Sequence, residues 1–191
     1  LRATSAIVVA LASGAAEVRP CLGAEEARRA KALCQRPSLL GGEETGRCIP
    51  GFDFGNSPLE YLQSEAIAGK IIFLSTTNGT VAIRRAYAGC GRPVYLGALI
   101  NLSAVSLAIV RAAASSEGIV LLCSGRNGGP SSEDLFCAGL MVQKISLGLR
   151  GAGISPDLCD GASIAAGYAK ANEGSAFEVL ATSEHGRYLQ A

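Results

Sequence analysis

The hydrophobic and polar positions repeat one pattern along much of the chain: a short apolar run, a polar turn, and then apolar residues at helical spacing. Residues 70–75 are mostly large or β-branched apolar residues, which predicts a buried strand. Residues 76–80 form a polar turn, TTNGT, and residues 81–87 have the spacing of an amphipathic helix. The pattern therefore predicts a strand, a turn and a helix in succession.

The same succession is predicted twice more in the following part of the chain. Strands are predicted at 93–98 and 118–123, and helices at 102–114, with Asn101 as its cap, and at 132–149. Three such units favour an α/β fold with three layers, α/β/α, around a largely parallel or mixed sheet. Because ligands bind beyond the carboxyl ends of the strands in such sheets, we expect the turns after the strands to share one rim.

The first part of the chain is less regular. Apolar and amphipathic patterns predict helices at 4–12 and 25–33. Residues 39–58 form a long glycine-rich stretch with little helix or strand pattern, and Pro58 suits the first turn of a helix. Irregular segments of this length in compact domains are often functional, so we expect site residues there.

Composition narrows the class of protein. Hydrophobic residues make up 49% of the 191 residues and charged residues 17%, which is typical of a soluble globular protein. The net charge of +1 gives no reason to expect nucleic acid or an anionic membrane as partner, and no apolar run approaches the ~20 residues that span a bilayer. The seven cysteines include no CxxC pair, which favours reduced thiols in a cytoplasmic protein.

Polar residues near the starts of predicted helices suggest an anion site. Backbone N–H groups at a helix N-terminus, hydroxyls and arginine side chains all donate hydrogen bonds to phosphate. Ordinary helix capping is the alternative explanation for these residue types. The candidate donors are Arg2, Thr4, Ser5, Thr76, Thr77, Asn78, Ser124, Gly125 and Arg126.

Carboxylates provide candidate metal ligands, since Mg²⁺ prefers oxygen ligands and takes one or two carboxylates with several waters. Glu43 and Asp53 lie in the glycine-rich stretch, and Asp53 stands between two phenylalanines, an unusual place for a solvating acid. Glu133 and Asp134 lie at the start of a predicted helix, where acids also simply complement the helix dipole. Ser131 and Asp134 have the spacing of a capping box with Asp in place of Glu.

Several familiar catalytic motifs are absent from the sequence. It contains no GxxxxGK[ST], no GxGxxG after a strand, no HExxH and no GxSxG. Cys123 is not followed by the arginine that the CxxxxxR spacing of cysteine phosphatases requires. The usual nucleotide-binding, zinc-protease, serine-hydrolase and cysteine-phosphatase interpretations therefore lose their support.

Six stretches, in order and over nearly the whole chain, resemble the 2-phosphosulfolactate phosphatase family. They are residues 1–5 (LRATS), 40–43 (LGGE), 50–58 (PGFDFGNSP), 76–80 (TTNGT), 131–139 (SSEDLFCAG) and 183–186 (SEHG). The resemblance implies a three-layer α/β fold and a Mg²⁺-dependent phosphatase. Such an enzyme would hydrolyse 2-phospho-3-sulfolactate to 3-sulfolactate and phosphate, a step in coenzyme M biosynthesis.

The resemblance also extends the set of expected site residues. Asn56 and Ser131 match family motifs, and we expect them to bind substrate together with the donors named above. We expect Glu43 and Asp53 to hold the metal. Catalytic roles, such as orienting water or forming an acyl-phosphate, are expected of Asp53, Glu133 and Asp134.

The family pattern includes an aspartate-containing strand before residue 1 and continues past residue 191. We therefore expect residues 1–191 to be a single phosphatase domain truncated at both ends. The expected partner is a small phosphorylated sulfonate, and a homodimer is considered as the assembly. Three alternatives stay open: a phosphatase of this fold that acts on another small phosphorylated acid, a non-catalytic phosphate-binding module, and a structural subunit.

Overall fold

The structure of the chain is a computed structural model that describes residues 1–62, 64–90, 93–113 and 118–190. The chain divides into two compact units, Leu1–Ala98 and Leu99–Ala191. No helix in the described part of the chain is both long enough and apolar enough to cross a membrane.

The first unit combines strands and helices in alternation. A 3-10 helix at Pro58–Leu62 follows β3. The other elements are α1 (Arg2–Ala12), β1 (Glu17–Cys21), α2 (Ala24–Leu33), β2 (Ser38–Glu44), β3 (Arg47–Cys48), α3 (Ser64–Ile67), β4 (Ile71–Ser75) and α4 (Gly79–Cys90).

The sheet of the first unit is mixed, as the sequence predicts. Its described strands lie in the order β1-β4-β2-β3. β1 and β2 run parallel to β4 on its two sides, whereas β3 pairs antiparallel with β2. The strand predicted at 70–75 is therefore confirmed, and it lies at the centre of the parallel part.

Both faces of β4 are covered, which is why all five of its residues are buried. Ile71 and Phe73 pack in a cluster with Ala27 of α2, while Ile72 and Leu74 pack with Ile7 of α1. Successive side chains of a strand point to opposite faces, so this alternation places one helix on each side. Each fully buried large aliphatic side chain contributes about 1.5–3 kcal/mol. The first unit therefore has the predicted three layers.

The glycine-rich stretch at 39–58 is not irregular throughout, and this expectation was wrong. β2 occupies its first part, because two glycines let neighbouring groups approach the strand closely. A Cβ on Gly41 would lie 2.3 Å from Oη of Tyr61, and one on Gly42 would lie 1.8 Å from the carbonyl oxygen of Ser75. Glycine weakens a strand pattern in sequence, but here it permits the packing of the strand.

The second unit is built from helices in its described residues. α6 has 20 residues and packs most extensively against α7. A Cβ on Gly139 of α6 would lie 2.0 Å from the carbonyl oxygen of Ala165 in α7, so the glycine allows this close approach. The helices are α5 (Leu102–Ala113), α6 (Ser132–Gly151), α7 (Asp160–Ala171), α8 (Ala176–Thr182) and α9 (Glu184–Gln190), with a 3-10 helix at Leu99–Asn101.

The strands predicted at 93–98 and 118–123 are absent, and these predictions were wrong. Neither segment is in a strand ladder with any described residue. Val120 is 89% exposed and Leu122 is 59% exposed, which does not fit a buried strand. An apolar run forms a strand only where a neighbouring strand supplies hydrogen-bond partners. Of the turns predicted to share one rim, the structure therefore shows a strand only before 76–80.

Candidate functional site

The turn that follows β4 is tied together by two threonines. Thr76 N–H donates to Thr80 Oγ1 at 3.0 Å, and Thr80 N–H donates to Thr76 Oγ1 at 3.0 Å. Both residues are buried, and Thr80 completely so. The hydroxyl of Thr76 thus caps the start of α4, and helix capping was the alternative to phosphate binding for this residue.

Glu43, near the end of β2, is joined to the same turn. Its Oε1 accepts from Thr77 N–H at 2.8 Å, and its Oε2 accepts from the Thr77 hydroxyl at 3.1 Å. Oε2 also accepts from Gly46 N–H at 2.6 Å. The Thr77 hydroxyl in turn accepts from Thr45 N–H at 3.2 Å. The structure therefore brings together Glu43 and Thr77, two of the residues that the sequence placed in the site.

The contribution of Thr45 and Gly46 was missed by the sequence analysis. Strand pairing of Glu44 with Arg47 leaves these two residues as the hairpin loop between β2 and β3. Both have positive φ, 52° and 84°, as in a type I′ turn. Glycine at the second position was the one signal for this turn, and it lay inside a stretch that showed no strand pattern.

The first turns of α1 and α4 lie against each other. Gly79 begins α4, and a Cβ built on it would lie 2.5 Å from Cβ of Ala3 in the first turn of α1. α1 also begins without a side-chain cap, with Leu1 at the N-cap position. Each helix N-terminus carries about half a positive charge, so two of them together favour an anion.

The neighbouring donors predicted from the sequence surround these helix starts. Arg2 is the first residue of α1, and Asn78 immediately precedes α4. The hydroxyls of Thr4 and Ser5 donate to the carbonyl oxygen of Leu1 at 2.8 and 3.0 Å, so they are used within the first turn of α1. The structure thus places the predicted donors at the start of α1 and those at the start of α4 at the same end of the first unit.

Asn56 also lies near the carboxyl end of β2. The preceding residue, Gly55, accepts a hydrogen bond through its carbonyl oxygen from Gly42 N–H at 3.1 Å. Asn56 is 5% exposed, and its Oδ1 has no hydrogen-bond partner among the described residues. A buried polar atom without a partner is costly, and a bound ligand or water is one way to satisfy it.

Asp53 is held elsewhere along β2. Its Oδ2 accepts from Leu40 N–H at 2.7 Å and from Lys31 Nζ at 3.1 Å. Partial burial acts to raise the pKa of Asp53, but the hydrogen bond from Leu40 and the charge of Lys31 outweigh it and hold the pKa below its usual value. Leu40 precedes Glu43 by three residues, about 10 Å along a strand. The two predicted metal ligands are therefore not brought together through β2.

The fit of Mg²⁺ to this pair of carboxylates is poor. Asp53 faces an ammonium group, and Glu43 already accepts three hydrogen bonds from protein donors. Mg²⁺ requires near-octahedral oxygen ligands, and these two carboxylates already use much of their acceptor capacity on protein donors. Among the described residues, no group of three His, Cys, Asp or Glu side chains could hold a metal ion.

The start of α6 in the second unit contains the other acids. Ser131 is the N-cap of α6, and its Oγ accepts from Asp134 N–H at 3.4 Å, which is one of the two hydrogen bonds of the predicted capping box. Asp134 is 7% exposed, and its Oδ2 accepts from the Ser124 hydroxyl at 3.1 Å and from Gly125 N–H at 2.9 Å. The carboxylate of Asp134 therefore holds the preceding loop against the start of the helix.

Arg126 lies at a cavity of about 360 Å³ beside the N-terminus of α6. Its Nη1 is 3.4 Å from Oε1 of Glu184, an ion pair, although this buried nitrogen makes no hydrogen bond with any described residue. The guanidinium also lies 5.8 Å from the ring centroid of Tyr188. Ser131 and Glu133 line the same cavity. Three residues that the sequence assigned to the site are thus neighbours here.

The cysteines near α6 are poorly suited to act as nucleophiles. Burial raises the pKa of Cys137 to about 11, and burial together with the charge of Asp134 raises the pKa of Cys123. The reactive form of cysteine is the thiolate, which is scarce when the pKa is high.

Comparison with known proteins places the chain in a family. The family model described as 2-phosphosulpholactate phosphatase matches residues 1–191. The chain is 39% identical over 189 residues to the probable 2-phosphosulfolactate phosphatase of Thermotoga petrophila, covering 99% of this chain and 75% of that protein. It is 40% identical over 191 residues to the protein of the same name from Gloeobacter violaceus, with coverage of 99% and 75%.

A third relative matches over a shorter length. The probable 2-phosphosulfolactate phosphatase of Symbiobacterium thermophilum is 44% identical over 144 residues, which covers 75% of this chain and 59% of that protein. The match over the full chain confirms the resemblance seen in the six sequence stretches. The chain belongs to the 2-phosphosulpholactate phosphatase family, whose members are phosphoric monoester hydrolases.

Proposed function

We propose that the chain hydrolyses 2-phospho-3-sulfolactate to 3-sulfolactate and phosphate, in coenzyme M biosynthesis, with a requirement for Mg²⁺. The names of the relatives support this substrate. The single structural observation that supports a phosphate site is the meeting of the N-termini of α1 and α4 at Ala3 and Gly79. The two helix dipoles and their first-turn N–H groups favour an anion at this point.

Each residue around these helix starts would contact a different part of the phosphoryl group. Arg2 grips its oxygens with a planar pair of N–H donors. Thr77 and Asn78 belong to the turn that precedes α4. Asn56 supplies a buried side-chain amide from the neighbouring segment. Since the two ends of an amide are assigned only from their hydrogen bonds, the Asn56 amide can present either an oxygen or an N–H group. Such donors stabilise charge that builds on the phosphoryl oxygens during transfer.

The donors at the start of α6 are also part of the proposal. Arg126 and Ser131 line the cavity there, within the second unit, and stay predicted substrate-binding residues. The buried Nη1 of Arg126 makes no hydrogen bond within the described residues, and an anionic oxygen bound there would compete with the carboxylate of Glu184, 3.4 Å away. Catalytic roles for Asp53, Glu133 and Asp134 stay predictions.

The requirement for Mg²⁺ is proposed on the family resemblance alone, and no residue is assigned to the metal. Removal of metal with EDTA should abolish turnover, and titration with Mg²⁺ should restore it. Full turnover in EDTA would contradict this part of the proposal and leave the substrate assignment untouched.

A panel of phosphomonoesters tests the substrate. We expect 2-phospho-3-sulfolactate to give the highest kcat/KM, followed by phosphorylated acids that lack the sulfonate. A higher kcat/KM for another phosphorylated acid would favour the first alternative. Binding of inorganic phosphate without turnover of any ester would favour a non-catalytic phosphate-binding module.

A charge substitution tests the phosphate site itself. Arg2→Gln removes the cation at the start of α1, and we expect it to lower kcat/KM by about 10- to 100-fold, as loss of a charged hydrogen bond does. Arg29→Gln is the matched control, because Arg29 is exposed on α2, on the other face of the sheet. Equal kinetics for the two variants would show that Arg2 does not contact the substrate.

The sequence also suggests a cytoplasmic protein and a homodimer, and both stay predictions. The cysteines whose side chains the structure describes are all free thiols, which supports a reducing compartment: Cys21, Cys34, Cys48, Cys123, Cys137 and Cys159. Fractionation of cells and sedimentation velocity of the purified chain test the two predictions separately.

A further inference from the structure

The contacts of Glu43 favour a role other than the metal ligand that the sequence suggested. We propose that Glu43 is a positioning residue. Its buried carboxylate holds Thr77 in place, and through Thr77 it fixes the conformation of the turn that precedes α4. This inference rests on the proposed function, since that turn is the proposed phosphate site.

The contacts of Glu43 already use most of what a carboxylate can offer. Its two oxygens provide about four acceptor positions. Three are taken, by Thr77 N–H, the Thr77 hydroxyl and Gly46 N–H, at 2.8, 3.1 and 2.6 Å. The side chain is 9% exposed, so its charge is stabilised mainly by these donors. A carboxylate with this set of partners holds protein groups in place.

The chemistry of the partners explains why a carboxylate is needed. Both Glu43 oxygens accept hydrogen bonds and neither donates. In a glutamine at this position, an NH₂ group replaces one of the two carboxylate oxygens. That NH₂ group would face another donor, either Thr77 N–H or Gly46 N–H. One of those buried donors would then lose its partner, and the turn would shift to find another.

The hairpin loop between β2 and β3 depends on the same carboxylate. Thr45 is β-branched and has φ 52°, an unfavourable conformation for such a residue. The hydrogen bonds from Thr45 N–H to Thr77 Oγ1 and from Gly46 N–H to Glu43 hold it there. Glu43 thus connects the β2–β3 hairpin loop with the turn after β4. Its partner in that turn, Thr77, is 34 residues away in sequence.

The effect on the phosphate site follows from position. Thr77 lies between Thr76, which directly follows β4, and Gly79, which meets Ala3 of α1. A shift of Thr77 therefore moves the first turn of α4 relative to that of α1. Displacement of a binding group by about 1 Å costs on the order of 100-fold in rate, so the donors of this turn need such a support.

The test compares Glu43→Gln with Glu44→Gln, its neighbour in sequence, which is exposed and pairs with Arg47 in the hairpin. We expect Glu43→Gln to raise KM and to lower kcat/KM by about 10-fold or more, with the same half-saturating Mg²⁺ concentration as the unsubstituted chain. We expect Glu44→Gln to change neither. A half-saturating Mg²⁺ concentration that rises more than KM would identify Glu43 as a metal ligand and overturn the proposal.

A second measurement does not depend on turnover. Amide hydrogen exchange by NMR should show that Thr77 and Gly46 exchange about 10-fold faster in Glu43→Gln, while amides of β4 keep their protection. Inorganic phosphate, titrated by calorimetry, should bind more weakly to the variant. Unchanged exchange at Thr77 would overturn the positioning role even if the chain hydrolyses no ester, so failure of this proposal is separable from failure of the proposed function.

A second pair of variants covers the case in which Glu43→Gln does not fold. Thr77→Val removes the hydroxyl and keeps Glu43, and Thr77→Ser keeps the hydroxyl. We expect Thr77→Val to raise KM and Thr77→Ser to restore it, with similar melting temperatures for both. Equal kinetics for the two Thr77 variants would contradict the proposed link through this side chain.

Discussion

At the scale of single residues, Asp53 is a predicted site acid whose contacts in the fold favour a structural role. Its position between two phenylalanines suggested a site acid. In the fold, its carboxylate joins the segment after β3 to Leu40 of β2 and to Lys31 of α2. The phenylalanines belong to the packing on the two faces of the sheet, Phe52 on one and Phe54 on the other. The contacts indicate a support for the sheet.

The substitution Asp53→Asn distinguishes the structural role from the catalytic one that the sequence predicted. We expect it to lower the free energy of unfolding by about 1 kcal/mol at pH 7, since a charged hydrogen bond and a half-exposed ion pair are lost. Turnover of the folded protein should change little if the role is structural, and should fall strongly if the predicted catalytic role holds. Urea denaturation and kcat of the folded fraction measure the two effects, with the exposed Asp157→Asn as control.

The same variant has a predicted pH dependence. The pKa of Asp53 in the folded chain lies below the ordinary value of 3.8, so its stabilisation is present above pH 3.8 and is lost as the pH falls through the folded pKa. The difference in stability between Asp53→Asn and the unsubstituted chain should therefore shrink in that acidic range. A large loss of kcat at unchanged stability would instead support the catalytic role.

At the scale of elements, sequence pattern predicted helices well and strands unevenly. The helices at 4–12 and 132–149 were predicted within a few residues, because a long amphipathic or apolar period is visible without tertiary contacts. β4 was predicted because both its faces are buried. β1 was missed, since Glu17–Cys21 is short and contains Pro20 at the edge of the described sheet.

The candidate site was predictable only in part for a related reason. The motif at 76–80 marked the turn after β4, because a polar turn after an apolar run is visible in sequence. The bond between Glu43 and Thr77 was not visible, since it depends on how β2 and β4 pair in register. The same dependence hid the ion pair of Asp53 with Lys31. Contacts across strands follow from register, which no local pattern specifies.

A glycine pair tests the packing of α6 on α7. Gly139→Ala places a Cβ 2.0 Å from the carbonyl oxygen of Ala165, and we expect a loss of stability of about 1–3 kcal/mol as the helices separate. Gly167→Ala, in α7, meets nothing within 4 Å, and we expect a gain of about 1 kcal/mol from helix propensity. Thermal unfolding followed by circular dichroism measures both. A gain for Gly139→Ala would contradict the close approach of the two helices.

At the scale of the whole molecule, two buried thiols report on the two units. Burial raises the pKa of Cys21, in the first unit, and of Cys137, in the second, to about 11 each. At pH 8 about one thiol in a thousand is then ionised, so we expect slow alkylation of both in the native chain. Cys159 is exposed and should react quickly, which makes it the internal control.

Alkylation of Cys21 and Cys137 across a urea series tests the single domain expected from the sequence. If residues 1–191 unfold as one domain, both thiols should become reactive at the same urea concentration. Mass spectrometry of the labelled peptides gives the two midpoints. Midpoints that differ would show that the units at Leu1–Ala98 and Leu99–Ala191 unfold independently.

The link between Glu43 and Thr77 also bears on the order of folding. Its ends are separated by 34 residues, so the loop between them must close before the link exists. β2 and β4 have to pair first, because their pairing brings the two ends into reach. We therefore expect the proposed phosphate site to be completed late in folding and to open early in unfolding. A bound anion would therefore lower the rate of the first step of unfolding.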